Sequence, residues 1–226
     1  MGSNRLARVI ATVVLLCMPL PVLAQDAVPS PIRGADSLPQ TIPIFPLDDV
    51  FVFPNILLPL NIFEPRYREM IADALKGDRV IGMVQLRPGY EPNYEGRPPV
   101  FAIGCAGVIT QVDQLPDGRY TILLRGLVKF RILSEDQSRP YRLARVEAIP
   151  EDPDDRERAA LGRQRERLLA LMPSGSELPP RDVSDEDIIN ALAQYAKIGA
   201  LERQGLLELN GPLLRSEALI GLLGKK

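Results

Sequence analysis

The sequence predicts an α+β fold in which a β-rich region over residues 41–150 is followed by a helical region over residues 151–226. The main evidence is the tripeptide P-D-G between two long runs, Phe101–Leu115 and Tyr120–Leu133, which is a strong signal for a β-hairpin. After Arg156, apolar residues recur at helical spacing instead. Since the chain has 226 residues and 46% of them are hydrophobic, it can bury a sizeable core in one or two domains.

Residues 1–24 have the pattern of a secretory signal peptide. Arg5 and Arg8 precede the apolar run Val9–Leu16, and V-L-A at residues 22–24 provides small residues for cleavage after Ala24. An uncleaved anchor is the alternative, although the apolar run is short for a membrane span. Residues 25–40 contain three prolines and no apolar period, which predicts a flexible linker. We therefore expect a periplasmic or secreted protein with no stable membrane insertion after cleavage.

The composition excludes several classes of site. The chain has no histidine, which rules out histidine-based triads, histidine general bases and histidine metal ligands. Cleavage would remove two arginines and no acid, leaving 25 basic against 29 acidic residues and a formal charge of −4. A net negative charge argues against binding to nucleic acid. Cys105 would be the only remaining cysteine, and its apolar neighbours favour a small buried side chain over a reactive thiol.

Two short β-type runs, Ile42–Phe45 and Val50–Phe53, begin the β-rich region. Prolines punctuate both runs, at positions 43, 46 and 54. Because proline cannot donate a hydrogen bond to a neighbouring strand, these runs are expected to be edge strands or irregular entry segments. Later in the chain, Val80–Leu86 and Tyr141–Ile149 are also predicted as strands.

The helical region is predicted to contain three or more helices. The first covers Arg156–Met172, and a second begins after Ser184, whose side chain suits an N-cap. Its apolar residues at helical spacing, Ile188, Leu192 and Tyr195, are predicted to form a buried stripe. The last helix is expected around Leu213–Leu223.

The stretch P-L-N-I-F-E-P-R-Y at residues 59–67 is predicted to convert a strand into a helix within three residues. Pro65 suits the first helical position, because the N–H that it lacks would have no partner there. The helix should run from Arg66 to about Lys76, with Tyr67 on its buried face. We expect this motif to be structural, and it consists of Phe63, Glu64, Pro65, Arg66 and Tyr67.

The segment from Ile42 to Met70, with F-P-L followed by P-L-x-I-F-E-P-R-Y, resembles the opening of the Lon protease N-terminal (substrate-binding) domain. R-G-L-V-K-F-R-I and R-Q-G-L-L-E resemble later parts of that family, so the resemblance covers about residues 41–223. Asn61 departs from the histidine that many members carry. The resemblance implies a PUA-like, β-rich pseudo-barrel followed by a C-terminal helical bundle, in a stand-alone bacterial member that recognises protein substrates.

Two sets of residues are candidates for binding. Tyr90 and Tyr94 lie in the proline-rich loop Arg87–Pro99, where they could anchor a partner or pack back on the sheet. On the second hairpin strand, Arg125, Lys129 and Arg131 could form a basic stripe that meets an acidic partner, or a solvated strand face. Arg125 and Lys129 are the binding candidates of this stripe. Gly126, within that strand, suggests a bulge or a close approach of another backbone segment.

The sequence leaves two classes of function open. The first is a non-catalytic module that binds unfolded or extended protein segments, with a separate protease as a further candidate partner and strand addition as one mode of binding. The second is a hydrolase using carboxylates alone, such as Glu64, Asp48, Asp49 and the cluster Glu151–Asp155. That cluster could also hold a hard cation or, more simply, begin a helix. The chain lacks the G-x-x-x-x-G-K-[ST] phosphate loop, so no ATPase is expected. The preferred interpretation is the non-catalytic module, for which we expect no catalytic residue, metal or cofactor.

Overall fold

The computed structural model describes residues 38–89, 96–172, 179–180 and 182–224. Within these residues it is a mixed α+β structure built on one β-sheet, and all six strands precede four of the five helices, as predicted. The predicted signal peptide and most of the predicted linker lie outside the described residues. The strands are β1 (Thr41–Leu47), β2 (Leu57–Ile62), β3 (Val80–Gln85), β4 (Ile103–Gln114), β5 (Tyr120–Asp136) and β6 (Arg142–Ile149). The helices are α1 (Pro65–Ala74), α2 (Asp155–Ala170), α3 (Asp185–Tyr195), α4 (Ala200–Glu208) and α5 (Pro212–Leu223).

The sheet closes on itself through its longest strand. The strand order is β2-β5-β4-β3-β1-β6, and the second half of β5 also pairs with β6. Among the described strands, five therefore form a ring, whereas β2 pairs with the first half of β5 alone. All pairs are antiparallel except β1 with β3. The predicted hairpin is confirmed, with Gln114 opposite Tyr120 and Gly118 at a φ of 81° in the turn.

Strand β1 lies inside the ring, so the prediction that its prolines mark an edge strand is wrong for the strand as a whole. Pro43 pairs with Leu143 of β6, before the pairing of β1 with β3 begins at Ile44. Pro46 pairs with Val84 of β3, beyond the last pairing with β6. Each proline thus lies where β1 has a single neighbour, so that its missing N–H removes no hydrogen bond from a second strand.

The run Val50–Phe53 is an irregular segment and not a strand, which agrees with the second of the two predicted alternatives. The backbone N–H of Phe53 donates instead to the side chain of Gln194 on α3, at 3.0 Å. Val52 and Phe53 are nevertheless buried. This segment is therefore held by contacts with the helical region, which a local β-type pattern does not reveal.

Gly126 fulfils both expectations for a glycine in mid-strand. The pairing of β4 with β5 shifts between Ala106 and Gly107, opposite Val128 and Gly126, which leaves one extra residue in β5. A Cβ atom at Gly126 would lie 2.0 Å from the carbonyl oxygen of Phe53. Only glycine allows the 53–56 segment to approach β5 this closely, and the backbones of Gly126 and Asn55 bond at 2.9 Å.

The two regions share one apolar core. On α1 the buried residues are Tyr67, Met70, Ile71 and Ala74, which recur at helical spacing as predicted. They belong to the same buried cluster as Phe53 and Ile109 of the β-rich region and as Leu161, Ile189 and Leu219 of the helical region. The helices after β6 are therefore packed on the sheet region through a continuous apolar contact. No helix within the described ranges combines the length and apolar character needed to cross a membrane.

The helix starts agree with the expected capping residues. Asp154 accepts from the N–H of Glu157 at 2.8 Å, and the Glu157 side chain accepts from the N–H of Asp154, which forms a capping box at α2. Ser184 accepts from the N–H of Asp187 at 3.0 Å and caps α3 as predicted. Part of the acidic cluster Glu151–Asp155 thus begins a helix, in agreement with the simpler of its two interpretations.

Candidate functional site

Side chains of helix α3 form hydrogen bonds with the segment that leads into β2. Asn190 donates to the carbonyl of Pro54 at 3.1 Å, and the Asn55 side chain donates to Asp187 at 2.9 Å. One turn later, the Tyr195 hydroxyl donates to the carbonyl of Leu57 at 2.8 Å. Asn190 and Tyr195 thus provide donors for the carbonyls of Pro54 and Leu57. They fix the distance between α3 and β2, and with it the width of the space between them.

That space is an apolar groove of about 510 Å³. Its floor and walls come from the start of β2, from α3, from the end of α2 and from the segment before α3. The groove is lined mainly by Ile56, Leu57, Leu169, Met172, Pro179, Val183, Ile188, Ala191, Leu192 and Tyr195. The volume lies within the range of ligand-binding pockets in proteins, which is about 300–1,000 Å³.

Two large side chains at the groove are exposed to solvent. Leu57 is 45% exposed and Tyr195 is 63% exposed. The prediction that Tyr195 belongs to the buried stripe of its helix is wrong. Its hydroxyl donates to the carbonyl of Leu57 in β2, so the ring lies at the groove and not in the core. Ile188 is buried as predicted, and Leu192 is partly buried.

The outer edge of β2 has few free backbone groups. The carbonyl of Ile56 accepts from Gly126 of β5, so by alternation the backbones of Leu57, Pro59 and Asn61 face away from β5. The Leu57 carbonyl is taken by Tyr195, and Gln194 also approaches it at 3.4 Å. Pro59 has no N–H to donate. Among the described residues on this edge, Asn61 alone combines a backbone N–H and a carbonyl that have no other bond, so the edge supports little strand addition.

A buried ionic cluster lies beneath the helices. Oε1 of Glu151, in the connection between β6 and α2, is 2.7 Å from Nζ of Lys129 and 2.6 Å from Nη2 of Arg215. Arg215 is fully buried and also donates to Asn190 on α3 and to the carbonyl of Leu206 on α4. Lys129 further donates to the carbonyl of Leu209. The cluster therefore joins β5 to α3, α4 and α5.

Burial lowers the pKa of Lys129, and the neighbouring Glu151 carboxylate opposes that shift. Lys129 is only 1% exposed. The expectation that it lies on an exposed basic stripe is therefore wrong, and Lys129 is not accessible to a partner. Of the other two residues of that stripe, Arg125 is partly exposed on β5 opposite Leu57, and Arg131 is exposed. Tyr90 and Tyr94 lie outside the described residues.

The structural motif before α1 divides into buried and exposed residues. Tyr67 is 3% exposed and packs with its ring centroid 4.3 Å from that of Phe45, and the guanidinium carbon of Arg66 lies 4.6 Å from the centroid of the same tyrosine ring. Pro65 is the first helical residue, as predicted, and Glu64 precedes it and pairs with Arg66 at 2.9 Å. Phe63, however, is 66% exposed. The backbone leaves β2 after Ile62, so Phe63 points away from the core.

The carboxylates considered for hydrolysis have structural partners. Asp49 pairs with Arg203 at 2.7 Å, and Asp48 accepts from Gln85 at 3.1 Å. Glu64 pairs with Arg66, and Glu151 pairs with Lys129 and Arg215. Across the described residues, no three acidic or cysteine side chains converge in a way that could hold a metal ion. Burial raises the pKa of the Cys105 thiol to about 12, as suits the inert, buried side chain that its neighbours predict.

Sequence reasoning missed the residues that shape the groove. Leu57 lies in a run of apolar residues whose pairing was not predictable, and Gln194 and Asn190 are polar residues on the buried side of α3. The signal that could have identified the latter is their spacing, since Asn190 and Gln194 are four residues apart on one helix face. A pair of amides on a buried face indicates hydrogen bonding to a neighbouring backbone segment.

Comparisons with known proteins agree with the sequence resemblance. The family model described as "ATP-dependent protease La (LON) substrate-binding domain" matches residues 41–225. A Lon protease of Trichlorobacter lovleyi is 29% identical over 201 residues, and Lon protease 2 of Sorangium cellulosum is 30% identical over 217 residues. These alignments cover 84% and 88% of this chain but only 24% and 25% of the relatives. The chain thus spans about a quarter of the length of these relatives.

Solved structures show the same fold at lower sequence identity. A Lon N-terminal domain protein from Xanthomonas campestris has a TM-score of 0.57 at 21% identity and covers 80% of this chain and 97% of its own. The N-terminal domain of the Mycobacterium avium complex Lon protease has a TM-score of 0.59 at 20% identity, with 81% and 98% coverage. Only the substrate-binding part of the Lon relatives is matched. The chain therefore belongs to the Lon substrate-binding domain family.

Proposed function

We propose that this protein is a non-catalytic module that binds exposed apolar segments of unfolded or extended polypeptides in the groove between β2 and α3. The observation that carries the proposal is the pairing of an open apolar groove with two exposed large side chains at its rim, Leu57 and Tyr195. Exposed apolar surface next to a concave site is typical of protein-binding surfaces. The name of the matched family, a substrate-binding domain, supports the same conclusion.

Binding in this proposal depends on side-chain burial more than on strand addition. The free edge of β2 is interrupted by Pro59 and occupied at Leu57, so it presents few backbone groups to an added strand. The groove, by contrast, can remove several apolar side chains of a client from water, and the gain scales with the apolar area buried. We therefore expect clients to be selected by apolar content and not by a fixed sequence.

Three further features belong to the proposal. We place the protein outside the cytoplasm, on the support of the signal-peptide pattern of Arg5, Arg8 and Val9–Leu16. We expect a separate protease to be a partner that receives the bound clients. We also interpret the two regions as a PUA-like pseudo-barrel and a helical bundle, supported by the ring of five strands and by the packing of α2 against α3 and α5.

The test is a titration of fluorescently labelled β-casein, an unfolded protein, with the chain from residue 25 onward, followed by fluorescence anisotropy. We expect Leu57→Ser to weaken binding about threefold or more, because it removes an exposed apolar contact at the groove. The matched control is Leu133→Ser, which removes a leucine of similar exposure from β5, away from the groove. Equal affinities of the wild type and both variants for β-casein would contradict a site at the groove.

A further inference from the structure

The second half of β4 is an open edge of the sheet. Pairing of β4 with β3 ends at Val108, and the N–H of Ile109 then donates to the carbonyl of Arg79 at 2.8 Å. Beyond that point β4 continues to Gln114 with β5 as its single neighbour among the described strands. Residues 110–114, the β4 edge, therefore extend past the ring, and one side of their backbone faces no other described strand.

The alternation of hydrogen bonds identifies the free groups on the β4 edge. The N–H of Leu115 donates to the carbonyl of Arg119 across the hairpin, at 2.8 Å. Since alternate residues of an antiparallel strand face the same neighbour, Asp113 also bonds β5, and the backbones of Val112 and Gln114 face away from it. Neither of these two backbones has a hydrogen-bond partner among the described residues. Together they present two donors and two acceptors at the spacing of a regular strand.

The β4 edge is less obstructed than the outer edge of β2. On β2, one outward carbonyl is taken by Tyr195, and Pro59 has no N–H. The β4 edge contains no proline, and in the described part of the chain no side chain bonds its outward groups. Gln114 is exposed and Val112 is partly exposed. An edge of this kind can accept an extended polypeptide as an added strand, because a strand offers donors and acceptors at the same repeat.

The side chain between the two free residues carries a negative charge. Asp113 is exposed and belongs to none of the ion pairs formed by the described residues. In an added strand, the residue directly opposite Asp113 has its side chain next to this carboxylate. Opposite charges in such a cross-strand pair are favourable, and like charges are unfavourable. The β4 edge therefore favours a segment with lysine or arginine at that position.

The same carboxylate disfavours a second copy of this chain as the added strand. In an antiparallel pair of two β4 edges, all the free groups are satisfied when Val112 of each copy pairs with Gln114 of the other. That register places the two Asp113 carboxylates directly opposite each other, where like charges destabilise the pair. The charge of the β4 edge is thus complementary to a basic client segment and not to the protein itself.

We propose that the β4 edge binds an extended polypeptide segment as an added strand, with a basic residue of that segment opposite Asp113. The class of partner, an unfolded or extended polypeptide, rests on the proposed function. The site is separate from the apolar groove, which no residue of β4 lines. The groove selects a client by its apolar content, whereas the β4 edge selects it by an extended backbone and a positive charge.

The experiment is amide hydrogen exchange, resolved residue by residue by NMR, on the chain from residue 25 onward. The probe is reduced and carbamidomethylated lysozyme, which is unfolded and basic. At saturation we expect exchange of the Val112 and Gln114 amides to slow about tenfold or more, because each N–H gains an acceptor. The Asp113 amide is the internal control, since it already bonds β5 and should change little. Unchanged exchange at Val112 and Gln114 would overturn the proposal, and so would protection of both in the free chain.

Variants assign binding to the β4 edge, with affinities measured by fluorescence anisotropy of the labelled probe. Gln114→Pro removes an outward N–H and leaves the bonds to β5, so affinity should fall about threefold. Gln114→Thr keeps the N–H and is the matched control. Asp113→Lys should weaken binding of the basic probe about twofold to fivefold and strengthen binding of acidic β-casein, without altering the backbone. Thermal melting checks that each variant is folded. If the proline variant unfolds, equal affinities of wild type and Asp113→Lys for both probes contradict the proposal.

The groove and the β4 edge can fail separately. Loss of probe affinity in Leu57→Ser, with unchanged exchange at Val112 and Gln114, supports the groove and refutes the edge. Protection of these two amides with an unaffected Leu57→Ser variant has the opposite meaning. Analytical ultracentrifugation tests the second copy: a dimer that Gln114→Pro converts to a monomer would show that the chain itself occupies the edge, against the proposal. Absence of any probe binding would refute both sites.

Discussion

Nη2 of Arg215 lies 2.6 Å from Oε1 of Glu151, so that a fully buried cation on α5 is paired with a carboxylate in the connection between β6 and α2. The same oxygen also accepts from Lys129 of β5 at 2.7 Å. The Glu151 carboxylate thus pairs with two buried cations, and it lies where the chain leaves the sheet and enters the helical region. We infer that this carboxylate fixes the position of the helical region on the sheet.

Replacing Glu151 with Gln should therefore destabilise the protein strongly. The change leaves Lys129 and Arg215 buried without a counter-charge, and breaking a buried ion pair in this way typically costs about 3–5 kcal/mol. Urea unfolding followed by circular dichroism measures the change in the free energy of unfolding. Asp152→Asn is the control, since that neighbouring carboxylate is exposed and pairs with Arg158 at the surface. A surface pair is worth about 1 kcal/mol or less, so equal losses in the two variants would refute the role of Glu151.

Two aromatic residues of one motif should respond differently to truncation. Tyr67→Ala should lower the free energy of unfolding by about 2–4 kcal/mol, because the side chain is buried against Phe45 and leaves a cavity. Phe63→Ala should change it by about 0.5 kcal/mol or less, because Phe63 is mostly exposed. Urea unfolding of the two variants gives both values. A melting temperature that Tyr67→Ala leaves unchanged would show that this motif does not organise the core.

Gly126→Ala should destabilise the protein through steric overlap. The added methyl group would lie 2.0 Å from the Phe53 carbonyl oxygen, so β5 or the 53–56 segment must move, at a cost of about 1–3 kcal/mol or more. Gly205→Ala on α4 is the matched control, because nothing lies within 4 Å of its added methyl group. It should stabilise the protein by about 0.5–1 kcal/mol through helix propensity. Thermal unfolding distinguishes the two, and a tolerated alanine at Gly126 would show that the close approach is not required.

The stability of the protein should fall at alkaline pH partly because of Cys105. Burial raises the pKa of this thiol from 9.0 to about 12, so the unfolded chain loses its proton at lower pH than the folded chain. The contribution is fully present below pH 9.0 and is lost as the pH rises to about 12, with a slope of up to about 1.4 kcal/mol per pH unit. Urea unfolding of the wild type and Cys105→Ala at several pH values measures this slope. Identical slopes for the two proteins would contradict the shifted pKa.

The sequence by itself determined the features that depend on a few neighbouring residues. The P-D-G turn, the start of α1 at Pro65 and the cap at Ser184 follow from backbone geometry and local hydrogen bonding, and the structure confirms each of them. The order of strands and helices follows from the change in the spacing of apolar residues along the chain. The family follows from sequence motifs such as P-L-N-I-F-E-P-R-Y, which are recognised without a structure.

Only the tertiary structure decided which distant segments meet. Closure of the ring by β5 and β6, the single pairing of β2 and the burial of Lys129 all depend on partners that local pattern does not specify. The same holds for the groove, because Tyr195 is drawn out of its predicted buried stripe by a carbonyl that lies 138 residues away in the chain. The free energy of a charged or aromatic side chain is set by the groups around it, and those groups come together only when the chain is folded.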